Sequence, residues 1–319
     1  MPTFDCTAIG EGGVRLSVPP GHRMERAERL DVAIAGTEAN VLCTLSSLDW
    51  HTGWFSGMAV DSPVARRVHY QLSSFGVDLS GVHWGQGRTG TYWAEYSVPP
   101  RATAVFFDRK DTAFARLTVD DVDWDKLLDT SLLHLTGLTA ALSPSVLEVL
   151  QEATRRAAAA GVPVSFDVNY RTHLWEPKVA APVLRPFVEQ AEIVFCRRDD
   201  VRLLLDGPED LEGCLRRVAE VSNASSIVTS CGPEGAMALI DGEIRTEAAL
   251  PVTILDRLGA GDGLAAGFIH SWLRGNKDDA LKYGVAVAAL ALSQYGEQII
   301  TSNDELESLL SDPTANLRR

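Results

Sequence analysis

From about residue 130 onward, short apolar runs alternate with longer segments of helical periodicity. The runs at 132–136 (LLHLT), 162–167 (VPVSFD), 192–196 (EIVFC) and 226–230 (SIVTS) are apolar on both faces and bounded by polar or turn-forming residues. That pattern predicts strands buried on both sides, as in a parallel sheet. Between the first two, 144–160 predicts a helix. Ser143 suits its N-cap, Pro144 its first turn and Gly161 its left-handed C-terminal position. Helices also fill the other gaps, so the repeating unit is βαβ, with helices over both faces of a mostly parallel sheet. MALI, Asp241-Gly242 and EIRTE then predict a hairpin with a type I′ turn. PVTIL at 251–255 reads as a strand, followed by helices at 260–273, 278–293 and 303–310.

Two N-terminal stretches, 13–35 and 88–116, carry a different period. VRLSV, TYWAEYSV and TAVFFDR alternate apolar and polar residues, which predicts antiparallel strands with one solvated face. They interrupt the α/β pattern in two places. One arrangement is a small sheet built from both excursions, a lid over a core of residues 1–12, 36–87 and 117–319. The alternative is an extended edge of the main sheet.

At 319 residues the chain is one large α/β domain, with or without a small accessory part. It is long enough to bury roughly three quarters of its unfolded surface and needs no disulfide or metal to fold. The composition, 45% hydrophobic and 23% charged, excludes a mainly disordered, collagen-like or coiled-coil chain. A net charge of -14 argues against nucleic-acid or anionic-membrane partners, which need a positive field. It leaves room for a small anion in a local basic pocket. No apolar run approaches the length of a membrane span, and MPTFDCTAIGEGG lacks the basic-then-apolar order of a secretory signal. The five cysteines are scattered, odd in number and without a CxxC pair, which predicts reduced thiols in a cytoplasmic protein.

The chemistry concentrates at DRLGAGD (256–262), followed by GLAAGF. Gly259, Ala260 and Gly261 open a helix whose first amides are unpaired and whose dipole favours negative charge, which makes an anion hole. Asp262 lies in that first turn. A carboxylate there suits a general base that deprotonates an alcohol attacking a phosphoryl group; the alternative is an Asp that caps a tight helix start. DVNYR (167–171) follows the strand at 162–167. Ligands bind at strand C-terminal ends in open α/β sheets, so Asp167, Asn169 and Arg171 are expected in the same crevice. Arg171 offers a fork to phosphate or carboxylate, or else a surface salt bridge. There is no GxxxxGK[ST] loop, no protein-kinase set of HRD and DFG, no HExxH and no GxSxG, and GEGG at 10–13 lacks dinucleotide spacing. The seven histidines show no metal-ligand spacing.

DRLGAGDGLAAGF resembles the C-terminal signature of the ribokinase-like (PfkB) carbohydrate kinases, and GTEANV (36–41) resembles that family's first glycine/asparagine signature. The resemblance runs from GE at 10–11 to YGEQ at 295–298. Within the family it leans to 2-keto-3-deoxygluconate kinases through GEGGVRLSVPPG, RTGTYWAEY, FFDRKDTAFARL, DVNYRTHLW and Arg257. It implies a three-layer α/β/α fold with a small β lid, and an ATP-dependent sugar kinase acting most readily on 2-keto-3-deoxygluconate. Asp262 is then the base, and Gly259, Ala260 and Gly261 receive the transferred phosphoryl. Gly36 and Asn40 contact sugar hydroxyls. Tyr92, Phe107 and Arg109 on the lid, with Asn169 and Arg171 on the core, contact the keto acid. Ser230, Gly232 and Gly235, with Gly261, line the nucleotide phosphates and ribose, and Ala286 and Ala289 flank adenine. The implied cofactors are ATP and Mg2+, with K+ as a monovalent ion beside the anion hole.

Three departures from the family pattern stand out. The family shows Asn-x-x-Glu after the strand matching EIVFC; here Arg197 and Asp200 take those places in CRRDD, beside Arg198. Asp200 is thus the candidate that orients magnesium through water. Phe107 stands where the subgroup often has Tyr, and Thr37 replaces a second glycine. Other readings are a sister kinase for fructose, ribose or a related ketose, a nucleoside kinase, and a noncatalytic sugar- or nucleotide-binding regulator. Val98, Val105 and Phe107 suit either a homodimer through the lid or a monomer with the lid packed on itself.

Overall fold

A computed structural model describes residues 2–96 and 98–312. Its strands are β1 (Cys6–Ile9), β2 (Gly13–Val18), β3 (Asp31–Ala35), β4 (Thr52–Ala59), β5 (Asp78–Gly85), β6 (Gly90–Glu95), β7 (Ala104–Asp108), β8 (Leu133–Thr136), β9 (Val164–Asp167), β10 (Ile193–Phe195), β11 (Ser226–Ser230), β12 (Ala236–Ile240) and β13 (Glu243–Glu247). Nine of them form one sheet in the order β13-β12-β11-β10-β9-β8-β1-β4-β5. From β11 to β5 every pairing is parallel; β12 and β13 add an antiparallel hairpin at one edge. Every residue of β1, β4 and β8 is buried, as expected of strands covered on both faces; of the three, only β8 is predicted from the sequence. Two apolar cores cover the two faces. One gathers Leu42, Trp54 and Phe268, the other Leu150, Phe166 and Phe187, which gives the three-layer α/β/α arrangement.

Local signals place the elements well where they are chemical. The helix Pro144–Ala160 starts with Ser143 accepting from the Val146 N–H at 3.2 Å and ends at Gly161 with φ 69°. Asp241 and Gly242 take φ 48° and 87°, as a type I′ hairpin requires. The last three helices span Ala260–Leu273, Ala280–Leu292 and Asn303–Ser311, with the second starting two residues later than expected. One expectation fails: PVTIL is not a strand. Among the described residues it joins no sheet. Thr253, Ile254 and Leu255 are exposed, and Leu255 N–H donates to the Leu292 carbonyl at 2.8 Å, at the end of a helix. With β13 closing that edge, an apolar run alone had no partner to pair with.

The two N-terminal excursions meet in a separate four-stranded sheet, β3-β2-β6-β7, and not in an extended edge of the main one. β2–β3 and β6–β7 are antiparallel as expected, but β2 and β6 run parallel, because each belongs to a different excursion. Among the described residues no helix is long and apolar enough to cross a membrane.

Candidate active site

A cavity of about 800 Å³ lies between the small sheet and the C-terminal ends of the main-sheet strands. Tyr92, Phe107 and Arg109 line it from the small sheet. From the core come Gly36, Thr37, Asn169, Arg171, Asp200, Ser230, Gly259, Gly261 and Asp262. Residues from Gly36 to Asp262 therefore face one space.

The floor is the start of the helix Ala260–Leu273. This helix is buried over most of its length, and its small residues let a second helix approach: a Cβ at Gly267 would sit 2.4 Å from the Tyr283 carbonyl oxygen. Its N-cap, Gly259, has φ 90°, a conformation that other residues adopt only under strain. Gly261 differs, since a Cβ there would meet nothing within 4 Å and would project into open space. Gly259, Gly261 and Asp262 line the cavity at this helix start, where the first amides have no intrahelical partner, whereas Ala260 packs against the apolar cluster of Leu48, Val287 and Ile299.

Asp262 is half-buried, and Asn40 Nδ2 donates to its Oδ2 at 2.7 Å. Burial pushes its pKa up to about 7. The Asn40 hydrogen bond opposes that rise, Asp167 adds to it, Arg171 opposes it and Glu38 adds to it. A carboxylate that titrates near neutrality is well matched to taking a proton from an alcohol. Asn40 Nδ2 also donates to Glu297 Oε2 at 3.1 Å, so both amide protons are spent inside the protein. Gly36, also expected at a sugar, is held close to the backbone: a Cβ there would lie 2.5 Å from the Glu11 carbonyl oxygen.

Positive charge enters from both sheets. Arg171, after β9, sits beside Asp167, Asp200, Asp262 and Arg197; burial and then Arg197 hold its pKa below the ordinary value, against the carboxylates. Asn169 (φ 38°) caps Asp167 with its backbone N–H at 3.1 Å and its Nδ2 at 2.9 Å. Arg109 pairs through Nε with Oε2 of Glu11, a residue only 3% exposed. The Phe107 ring lies 5.6 Å from that of Tyr92, so both rings form one apolar wall.

At the end of β10, Arg197 grips Asp200 with Nη2 at 2.8 Å and Nε at 3.2 Å, while the Arg197 N–H donates to the same carboxylate at 3.3 Å. Asp200 is buried, and both of its oxygens already accept from Arg197. Among the described residues no group of three or more His, Cys, Asp or Glu side chains could hold an ion.

The residues expected at the nucleotide divide. Ser230 lines the cavity. Gly232 has φ 60° and open space around it. Gly235 does not line the cavity; a Cβ would lie 2.0 Å from the Glu247 carbonyl oxygen, so the hairpin itself demands glycine there. Ala286 is fully buried among Leu48, Val287 and Ile299 and offers no surface to adenine, whereas Ala289 is half-buried. The sequence reading missed Glu11, Arg15, Asp256 and Glu297. The acid in GEGG was a visible signal for Glu11; Glu297 lies in the YGEQ stretch that closes the resemblance, but nothing near it in sequence says what it faces.

The family of pfkB carbohydrate kinases matches residues 8–304, and the chain belongs to it. It is a sugar kinase. A 2-dehydro-3-deoxygalactonokinase of Haloferax volcanii is 31% identical over 99% of this chain and all of its own. A 2-dehydro-3-deoxygluconokinase of Thermoproteus tenax is 29% identical over 96% of this chain and 94% of its own. Among solved structures, the 2-dehydro-3-deoxygluconokinase of Thermotoga maritima superposes with a TM-score of 0.91 at 26% identity, covering 97% of this chain and 99% of that one.

Proposed function

We propose that this sugar kinase transfers the γ-phosphoryl of Mg-ATP to a hydroxyl of a 2-keto-3-deoxy sugar acid, with 2-keto-3-deoxygluconate first and its galacto epimer next. The observation that carries this reading is the pair Arg109 and Arg171, which bring fixed positive charge from opposite sheets into the cavity that holds Asp262. A six-carbon acid with one carboxylate needs such a cation, and the planar fork of arginine suits it. The names of the relatives above support the same substrate class.

Asp262 accepts the proton of the attacking hydroxyl through the oxygen that Asn40 leaves free. The amides of Gly259, Ala260 and Gly261 take charge from the γ-phosphoryl oxygens. Tyr92 and Phe107 cover the sugar from the small sheet, residues 13–35 and 88–116 serve as a lid, and closure excludes water. Magnesium enters as part of the nucleotide substrate, and both oxygens of Asp200 stay paired with Arg197. We give a monovalent cation beside the anion hole no part in this reading. Asp256 there already accepts from Tyr96 Oη and the N–H groups of Leu258 and Gly296, and pairs with Arg15. Val98 and Phe106 are exposed on the small-sheet side and suit a homodimer through it, whereas Val105 is half-buried and Phe107 stands beside Tyr92 at the cavity. The cytoplasm supplies ATP and keeps the five free cysteines reduced.

A second reading, a neutral ketose as acceptor, is favoured by Glu11, which takes up part of the Arg109 charge. ADP release measured with Mg-ATP against 2-keto-3-deoxygluconate, its galacto epimer, fructose, ribose and no sugar separates the two. Turnover confined to the keto acids upholds the proposal; preferential turnover of fructose or ribose discards it in favour of the second reading.

A further inference from the structure

A buried chain of charge runs from the small sheet to Asp262. Arg15 lies on β2 and is 2% exposed. Its Nη1 stands 2.9 Å from Asp256 Oδ2 and 3.3 Å from Glu297 Oε1. The other oxygen of Glu297 accepts from Asn40 Nδ2, the group that also donates to Asp262. One guanidinium thus holds two things at once: the turn 256–261 through Asp256, and the amide of Asn40 through Glu297.

The chemistry of the amide gives this arrangement a consequence. Asn40 can present either nitrogen or oxygen towards Asp262. With nitrogen facing, its two protons meet two carboxylates and its oxygen is buried without a protein partner. With oxygen facing, three acceptors would crowd together. The nitrogen-facing state is favoured most strongly while Glu297 is an anion. Burial alone pushes the Glu297 carboxyl up; Arg15 and Asn40 oppose that. Without Arg15, protonation of Glu297 would leave the amide nitrogen with a weaker acceptor on that side and offer a donor to the amide oxygen, so the hydrogen bond to Asp262 would be held less firmly.

We infer that Arg15 and Glu297 are positioning residues for phosphoryl transfer: they lock the Asn40 amide with its nitrogen on Asp262 and tie the base to the seating of the small sheet. This rests on Asp262 acting as the base. The charged groups facing Asp262 are Asp167 and Arg171 from the end of β9 and Glu38 from the helix Thr37–Ser47. None of them touches Asn40 Nδ2, so the amide is set from the Glu297 side.

The test compares wild type with Glu297→Gln, Arg15→Met and Arg15→Lys. It reads kcat, KM for sugar and for ATP, the acid limb of kcat/KM against pH, and the fraction folded by near-UV circular dichroism. Glu297→Gln and Arg15→Met are expected to lower kcat about tenfold and move the acid limb up by about one pH unit, the size of one lost charge-assisted hydrogen bond. KM for ATP should stay within about threefold, and Arg15→Lys, which keeps a charge that both carboxylates meet at one nitrogen, should restore part of kcat. If Arg15→Met does not fold, Glu297→Gln carries the comparison alone. A folded Glu297→Gln enzyme with unchanged kcat, or one that loses activity only as folded protein is lost while the limb stays in place, overturns the inference. Asp262→Asn is the control: substantial turnover in that variant refutes the base itself, a failure separate from that of Arg15 and Glu297.

Discussion

Replacing Asn40 by Ala removes the hydrogen bond that opposes the rise in the pKa of Asp262. With that bond in place, burial already brings the carboxyl to about 7. A hydrogen bond to a charged group is worth about 1.5–3 kcal/mol net, and each pKa unit corresponds to about 1.4 kcal/mol. The acid limb should therefore move from about 7 to between about 8 and 9. At pH 7 the ionised fraction drops from about half to about a tenth or less, so protonation alone costs about fivefold or more in kcat/KM, and the loss shrinks as pH rises above the new limb. The assay is coupled ADP release at subsaturating sugar from pH 5.5 to 9.5, with the buffers overlapped to separate specific-ion effects. A limb that stays put or moves down in the variant would show that Asp262 is not the titrating group. A wild-type limb near 4 would show that burial does not govern this carboxylate.

Other outcomes follow from the same geometry. Asp262→Asn should lower kcat by about 10²–10⁴ while nucleotide binding, followed by calorimetry, survives. The same variant should be more heat-stable than wild type at pH 8 and no more stable at pH 4. The folded-state pKa of Asp262 lies above its unfolded value, so its ionisation weighs against folding above about 7 and has no effect below about 4. Arg109→Ala should raise KM for a keto acid by about 10- to 100-fold, the range of a lost charged hydrogen bond, and alter turnover of a neutral ketose far less; equal effects on both would remove the carboxylate-binding role. Exchanging potassium for tetramethylammonium should leave the rate unchanged, because Arg15 already occupies the carboxylates behind the anion hole; a steep potassium dependence would contradict that.

Much of the fold was legible because its signals are local. Ser143, Gly161 and the Asp241-Gly242 turn act through their own backbone, and they mark the boundaries the structure shows. Strands buried on both faces announce themselves by short, mainly apolar runs of β-formers between turn residues, as LHLT and SIVTS do. The same rule misplaced PVTIL, since an apolar run becomes a strand only where another strand offers hydrogen bonds. The candidate site was legible where one short motif carries both backbone and side-chain chemistry. DRLGAGD holds the helix start, the open face of Gly261 and the carboxylate within seven residues.

Sequence alone thus determined the alternation of strands and helices, the two excursions, and the motif at which phosphoryl chemistry is expected. It also showed Arg197 and Asp200 as departures, but not that they would clasp each other. Only the tertiary structure decided that Glu11 holds Arg109, that Ala286 turns into the core, and that Arg15 reaches Asp256 and Glu297. The physical reason is distance along the chain. Capping, turn formation and periodicity act within a few residues, whereas the partner of a buried charge is whichever group the packing brings to it. For Arg15 and Glu297 that group lies 282 residues away.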